Sequence, residues 1–210
     1  MGSLVGKRAL VTGAEQGIGK AAAEGLLEAG CDIAIHYFLG DEGPKELVAL
    51  AEKLGRKASY FQADLTDENA AVAMVKQSTS FLGGLDVLVN NAGIFPRAKF
   101  EETTSEFWDT MFAVNTRSAF LCSQAAVPLM RARGGGSIIN MGSTLPWSLG
   151  DNLFAYGCSK GAMYTMTRQL AGILRKDKIR ANWVTIGWVL TEKEFEVQEG
   201  EGREEGWEVG

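Results

Sequence analysis

Alternation of short apolar runs with amphipathic stretches, sustained from the first residues onward, is the feature that most limits what this chain can fold into. Runs rich in β-branched and other apolar residues occupy residues 8–12, 32–36, 58–62, 87–90, 137–141 and 181–185. Most read as continuous apolar segments with no polar alternation, the pattern of strands buried on both faces. Between them, residues 17–29, 44–54, 67–81, 105–133 and 153–174 carry helical periodicity. Strand-helix alternation of this kind builds right-handed βαβ units, so the expectation is an α/β doubly wound parallel sheet with strand order 3-2-1-4-5-6. A length of 210 residues and a hydrophobic content of 46% suit one domain with one substantial core.

Charge and cysteine usage exclude several functions. The net charge is −5 and no basic cluster is present, which argues against nucleic acid or an anionic membrane as partner. Residues 192–210 hold eight Glu against one Lys and one Arg, a net of −6, leaving +1 on residues 1–191. The division expected is therefore a folded domain over 1–191 and an acidic, flexible tail over 192–210, with Phe195, Val197, Trp207 and Val209 as its apolar residues. Cys31, Cys122 and Cys158 form neither a disulfide framework nor a CxxC pair, which points to reduced thiols in the cytoplasm. His36 is the single histidine, so no histidine-cluster metal site is expected. No apolar run nears the ~18 residues of a membrane span, and the N-terminus lacks the apolar core of a signal peptide.

Two local patterns carry chemistry. The first apolar run leads directly into Thr12-Gly13-Ala14-Glu15-Gln16-Gly17-Ile18-Gly19 and then an Ala-rich helix. Glycines at such a turn let a pyrophosphate approach the N–H groups of a helix N-terminus, where the dipole favours negative charge. A strand-helix turn that merely needs small residues is the bland alternative, and a first strand opening a βαβ unit weighs against it. Where the second strand ends, an acid would accept from the ribose 2′-OH of NAD; here stand His36, Tyr37 and Phe38. With no acid there, and neutral Gln16 in the turn, NADP(H) is expected over NAD(H). His36 is read either as a half-exposed strand-end residue or as a neighbour of the adenosine ribose.

Tyr156 and Lys160 lie four residues apart on a predicted helix, hence on one face. A phenol has a pKa of about 10, and a neighbouring ammonium lowers it by stabilising the phenolate, making a physically sensible acid-base unit. Ser143 follows the fifth strand closely, at the sheet edge where open α/β folds bind ligands, and its hydroxyl is placed to polarise a carbonyl oxygen. Taken singly, a Tyr and a Lys at this spacing are more often a solvated helix face.

In combination these residues resemble the short-chain dehydrogenase/reductase family, of the one-domain kind that includes β-ketoacyl carrier-protein reductases and glucose dehydrogenases. The resemblance rests on TGAEQGIG at residues 12–19, NNAG at residues 90–93, Asn115 in VNTRSAF, Ser143 thirteen residues before Tyr156, and YxxxK at Tyr156 and Lys160. It implies an NAD(P)(H)-dependent oxidoreductase moving hydride between nicotinamide and a ketone or secondary alcohol. Tyr156 is then the general acid/base, Lys160 lowers its pKa and holds the cofactor ribose, Ser143 orients the carbonyl, and Asn115 positions a water in a proton relay. Gly13, Gln16, Gly17, Ile18 and Gly19 are assigned to the pyrophosphate turn and His36, Asp64 and Leu65 to the adenosine. Asn91, Ala92 and Gly93 fall on the ribose side, and Gly187 and Thr191 beside the nicotinamide. Asn90 is expected to tie strands together. A homo-oligomer, tetramer or dimer, is implied through the long helices over 105–133 and 153–174.

Departures from the family pattern leave an alternative. Ile186 stands where the family carries proline, and the usual seventh strand has no counterpart. A non-catalytic dinucleotide-binding or subunit-interaction protein derived from the family would share the same motifs. The apolar residues Phe95, Leu145, Pro146, Trp147, Leu149, Leu153 and Trp188 are candidate pocket walls, and Arg97 is the one candidate handle for an anionic substrate group.

Overall fold

The computed structural model describes residues 4–189 together with Thr191 and Glu194. Apart from Glu194, the acidic tail of residues 192–210 lies outside the described residues. Six parallel strands form one sheet in the order β3-β2-β1-β4-β5-β6. The strands are β1 Arg8–Val11, β2 Asp32–Tyr37, β3 Ala58–Gln62, β4 Val87–Asn90, β5 Gly136–Met141 and β6 Ile179–Val184. The helices are α1 Gly17–Glu28, α2 Glu42–Lys53, α3 Glu68–Leu82, α4 Ser105–Phe112, α5 Ser118–Ala132 and α6 Phe154–Ile173.

Side chains alternate across the strands and feed two cores. Ala9, Val11, Ile33 and Ile35 point to the layer of α1 and α2, where they meet Ala23, Leu27, Leu47 and Ala51. Leu10, Ala34, Leu88 and Ile138 point the other way, onto Met74, Leu82, Leu121 and Met130 of α3 and α5. This two-sided burial is why the strands read as continuous apolar runs. Helix α3 shows how sequence sets a boundary: Asp67 accepts the Ala70 N–H at 2.9 Å as N-cap. At its other end Gly83 takes φ +73°, a left-handed conformation that closes the helix through Gly83 N–H to Ser80 and Gly84 N–H to Thr79.

Two expected spans are corrected. The helical stretch over 105–133 is not one helix: a π turn at Ala113–Arg117 separates α4 from α5 and widens the ladder by one residue. The sixth strand starts at Ile179 rather than residue 181, because Lys178, in left-handed conformation at φ +55°, turns the chain directly into the sheet. Asn90 ties strands as expected: its amide donates to Asn140 at 2.8 Å and to Ser123 at 3.0 Å. Asn140 in turn donates to Thr167 of α6 at 2.7 Å. Among the described residues β6 is a sheet edge, paired only with β5.

Candidate active site

The C-terminal ends of β1, β2, β4 and β5 open onto a cleft of about 650 Å³. At its floor, Thr12 donates its N–H to the Val89 carbonyl at 2.9 Å while its hydroxyl accepts the N–H of Asn91 and of Ala92, at 3.0 and 3.1 Å. Gly13 follows in left-handed conformation (φ +61°), and a Cβ there would come within 2.8 Å of the Ala92 Cα. The turn and the NNAG segment are thus packed at a distance only glycine allows. Asn91 donates its amide to the carbonyls of Thr12 and Gly13, at 3.0 and 2.7 Å, fixing the turn from the other side. Gln16, N-cap of α1, contributes no side-chain cap, and the first turn of α1 holds no acid. A glycine cradle facing helix N–H groups free of an internal anion fits a pyrophosphate.

His36 is not the half-exposed strand-end residue of one sequence reading, and it lines the cleft. It is fully buried, accepts the Gly13 N–H on Nδ1 at 3.0 Å and lies 3.1 Å from the Ala63 carbonyl through Nε2. Accepting at Nδ1 fixes the neutral tautomer with its proton on Nε2, which donates to Ala63. Burial lowers its pKa to about 4. The ring therefore braces the glycine turn between β2 and β3, with a polar atom spent on each side. Phe38, Leu39, Asp64 and Leu65 line the cleft with it. Asp64 accepts the Thr66 N–H and hydroxyl at 2.8 and 2.7 Å, which holds its carboxyl below the ordinary range.

Tyr156 and Lys160, one turn apart on α6, both line the opposite end of the cleft. Lys160 is buried, and its ammonium donates to the Met141 carbonyl at 2.9 Å and stands 5.7 Å from the Tyr156 ring centre. Burial pulls its pKa down to about 8. Phe95 packs edge-on against the Tyr156 ring at 6.4 Å between centroids. Burial raises the Tyr156 pKa, and the neighbouring Ser143 hydroxyl works in the opposite direction. The depressed phenol expected from the sequence is thus corrected: desolvation outweighs the Ser143 hydrogen bond. Ser143 is buried beside them, and its Oγ accepts the Leu145 N–H at 3.2 Å.

Asn115 lies behind this pair, in the π turn and fully buried. Its Oδ1 accepts the Ile94 N–H and its amide donates to the Ile94 carbonyl, both at 2.8 Å, with a further bond to Ser159 at 3.1 Å. It clamps the NNAG loop to α6. A Cβ on Gly93 would lie 3.1 Å from Asn115 Oδ1 and 3.6 Å from Lys160 Nζ, so the three meet at one point.

Of the residues singled out from sequence, Gly13, Gln16, Gly17, Ile18, Gly19, His36, Asp64, Leu65, Asn91, Ala92, Gly93, Tyr156, Lys160 and Thr191 line the cleft together. Gly187 does not; it is exposed, with open space where a Cβ would stand. Thr191 packs on the glycine turn, its Cγ2 3.4 Å from the Cβ position of Gly17, so the segment after β6 reaches back over the cleft. Sequence reasoning missed Glu194, which is buried and receives the Trp188 indole N–H at 3.0 Å and the Arg97 guanidinium at 3.4 Å. Its acidic neighbours hid it in an apparent tail. Arg97 is accordingly paired within the chain instead of standing as an open anion handle.

Residues 7–202 match the family model for short chain dehydrogenases. The chain belongs to the short-chain dehydrogenase family. It is 36% identical over 190 residues to 2-dehydro-3-deoxy-D-gluconate 5-dehydrogenase of Dickeya dadantii, covering 90% of this chain and 74% of that enzyme. It is 37% identical over 193 residues to D-xylose 1-dehydrogenase of Caulobacter vibrioides, covering 91% and 75%. Among solved structures, 7α-hydroxysteroid dehydrogenase complexed with NADH and 7-oxo glycochenodeoxycholic acid superimposes with a TM-score of 0.88 at 31% identity, over 93% of this chain and 76% of that one. Short-chain dehydrogenases are oxidoreductases that use NAD(P), and the relatives named here act on alcohol and sugar substrates.

Proposed function

We propose that this short-chain dehydrogenase moves hydride between NAD(P)(H) and a ketone/secondary-alcohol pair, with Tyr156 as general acid in reduction and general base in oxidation. The observation that carries the reading is the convergence of Tyr156 and Lys160 at one end of a glycine-cradled cleft, with Ser143 buried and hydrogen-bonded to Tyr156 and Asn115 locked behind them. When bound, the nicotinamide supplies the hydride and, oxidised, a positive charge beside the phenol. Ser143 holds the substrate oxygen against Tyr156 and donates to it as negative charge grows. Lys160, fixed on the Met141 carbonyl beside the phenol, would hold the ribose hydroxyls. Asn115 orders the route by which Lys160 recovers its proton. Thr191 serves the carboxamide end from the segment after β6.

The substrate wall is apolar: Ile94, Phe95, Val114, Met141 and Ile186 line the cleft, and Phe95 packs on the Tyr156 ring. The three related enzymes act on a deoxy sugar acid, a pentose and a steroid, so the shared element is the secondary alcohol or its carbonyl and not the skeleton. Three free cysteines accord with work in a reducing cytoplasm. A homo-oligomer forms through the outer faces of α4 and α5, where Phe112, Ala113 and Phe120 border an open groove that also holds Asp109 and Arg117.

Turnover of a panel of ketones, sugars and hydroxysteroids by the purified chain tests the assignment. The Tyr156→Phe variant is expected to lose about 10²–10⁴ of the turnover rate while cofactor affinity stays within a factor of three. Full turnover in that variant refutes the acid-base role.

A further inference from the structure

We infer that Arg97 is a positioning residue for the dinucleotide: through Glu194 it ties Thr191 down on the glycine turn and so slows release of the bound cofactor. The inference rests on the reading of the cleft as an NAD(P)(H) site and adds to it a residue that stands outside the cleft lining. Arg97 has a fixed base. It follows two residues after Phe95, whose ring packs on Tyr156. On one side the Ile94 N–H is held by Asn115 at 2.8 Å. On the other, Ala98 donates its N–H to the Asn152 carbonyl at 2.9 Å and pairs with Leu153, which fastens the loop after β4 to the start of α6.

What the guanidinium holds is the segment after β6. Glu194 Oε1 receives Arg97 at 3.4 Å and the Trp188 indole N–H at 3.0 Å, and the two charged side chains are 17% and 10% exposed. The Glu194 N–H donates in turn to Thr191 Oγ1 at 3.3 Å. Nearer the sheet, the Thr144 N–H holds the Ile186 carbonyl at 3.0 Å. The segment is thus tied at Ile186 and again at Glu194. Between the two ties stands Thr191, which lines the cleft with its Cγ2 3.4 Å from the Cβ position of Gly17.

A carboxylate buried to this degree is tolerated while it is paired; without the guanidinium it becomes an uncompensated charge that gains by moving out to water. Because the Glu194 N–H is bonded to Thr191, that movement takes Thr191 off the turn. A segment ordered in advance also spares the dinucleotide the entropy of ordering it on binding. Loss of the tie is therefore expected to appear chiefly in the dissociation rate.

The purified full chain is titrated with NADH and with NADPH by nicotinamide fluorescence, and the tighter of the two is then displaced in a stopped-flow measurement. Arg97→Gln and Glu194→Gln are each expected to weaken binding about three- to tenfold, through faster dissociation. Arg97→Lys, which keeps the charge, should retain most of the affinity. Thr191→Ala should give a loss of similar size, and Arg97→Gln added to it should change little more, since the pair acts through that side chain. A purely electrostatic effect on the pyrophosphate would move the two glutamine variants in opposite directions, Arg97→Gln weakening and Glu194→Gln tightening. That outcome overturns the inference, as does unchanged affinity in both variants, or a full further loss from Arg97→Gln on the Thr191→Ala background. Each of these leaves the nucleotide site standing. Failure of the unmodified chain to bind either nucleotide overturns the site and the inference together.

Discussion

His36 and Lys160 are ionisable groups whose burial decides what they do, and they respond to pH in opposite windows. His36 has a folded pKa of about 4 against 6.5 for the free side chain. Between these values the unfolded chain binds more protons, so stability is intact above pH 6.5 and falls as pH drops toward 4. Protonating Nδ1 also removes the acceptor for the Gly13 N–H, so nucleotide affinity is expected to fall over the same window. Urea titrations at pH 7, 5.5 and 4.5 should show this slope, and His36→Gln should flatten it. Lys160 behaves differently. Its folded pKa is about 8 against 10.5, so it is held charged in the interior at pH 7, and stability should rise between pH 8 and 10.5 as the ammonium is neutralised. Lys160→Met removes that buried charge. Turnover should collapse while the melting temperature at pH 7 rises on the order of 5 °C, a gain that fades above pH 10. A variant less stable at pH 7 would mean that the Met141 hydrogen bond outweighs the cost of burying the charge. Neither environment was legible in the sequence. The residue types and their spacing were, but desolvation depends on what packs around a side chain, and a reading of Tyr156 and Lys160 as an isolated pair sees only their mutual attraction.

Among elements, what the sequence disclosed most clearly was whatever repeats. Strand positions followed from continuous apolar runs, and α3 followed from helical periodicity over 67–81, against the observed Glu68–Leu82. The π turn between α4 and α5 escaped because it breaks no propensity rule; AVNTR is acceptable in an α-helix. Its cause is tertiary. Asn115 is drawn toward Ile94 and Ser159, and one extra residue in the turn lets it reach both. The docking of α1 is likewise set by a contact and not by helix propensity. A Cβ on Gly19 would overlap the Gly13 carbonyl oxygen and the Asn91 amide nitrogen, so the helix rests directly on the turn it follows. Gly19→Ala should therefore cost about 1–3 kcal/mol through overpacking, despite alanine's better helix propensity. It should also weaken nucleotide binding more than tenfold, because α1 must move off the cradle. Denaturant midpoints and a nucleotide titration on the same preparation check both effects, and a stabilised variant with unchanged affinity would show that α1 has slack.

For the molecule as a whole, the parallel sheet fixes which loops meet, and so the cleft was foreseeable, whereas its outer surfaces were only partly so. Glu194 belongs by composition to an acidic tail, yet it is buried against Arg97 and Trp188, since long-range pairing can overrule a local charge bias. The groove on the outer face of α4 and α5 poses the remaining question of assembly. Phe120 is 45% exposed there, between Asp109 and Arg117. A two-fold partner presents the same surface in reverse, which would set the Arg117 of one copy against the Asp109 of the other and cover Phe120 from both sides. A charge at position 120 breaks both conditions, as it is desolvated in the assembly and exposed in the monomer. Light scattering of the unmodified chain is expected to give a dimer or tetramer, and Phe120→Asp should lower the mass to that of a smaller unit. Because Phe120 stands outside the cleft, nucleotide affinity should survive in that variant. A chain that is monomeric without the substitution, or a Phe120→Asp variant of undiminished mass, would place the contact elsewhere, with the edge that β6 forms among the described residues the next surface to examine by the same measurement.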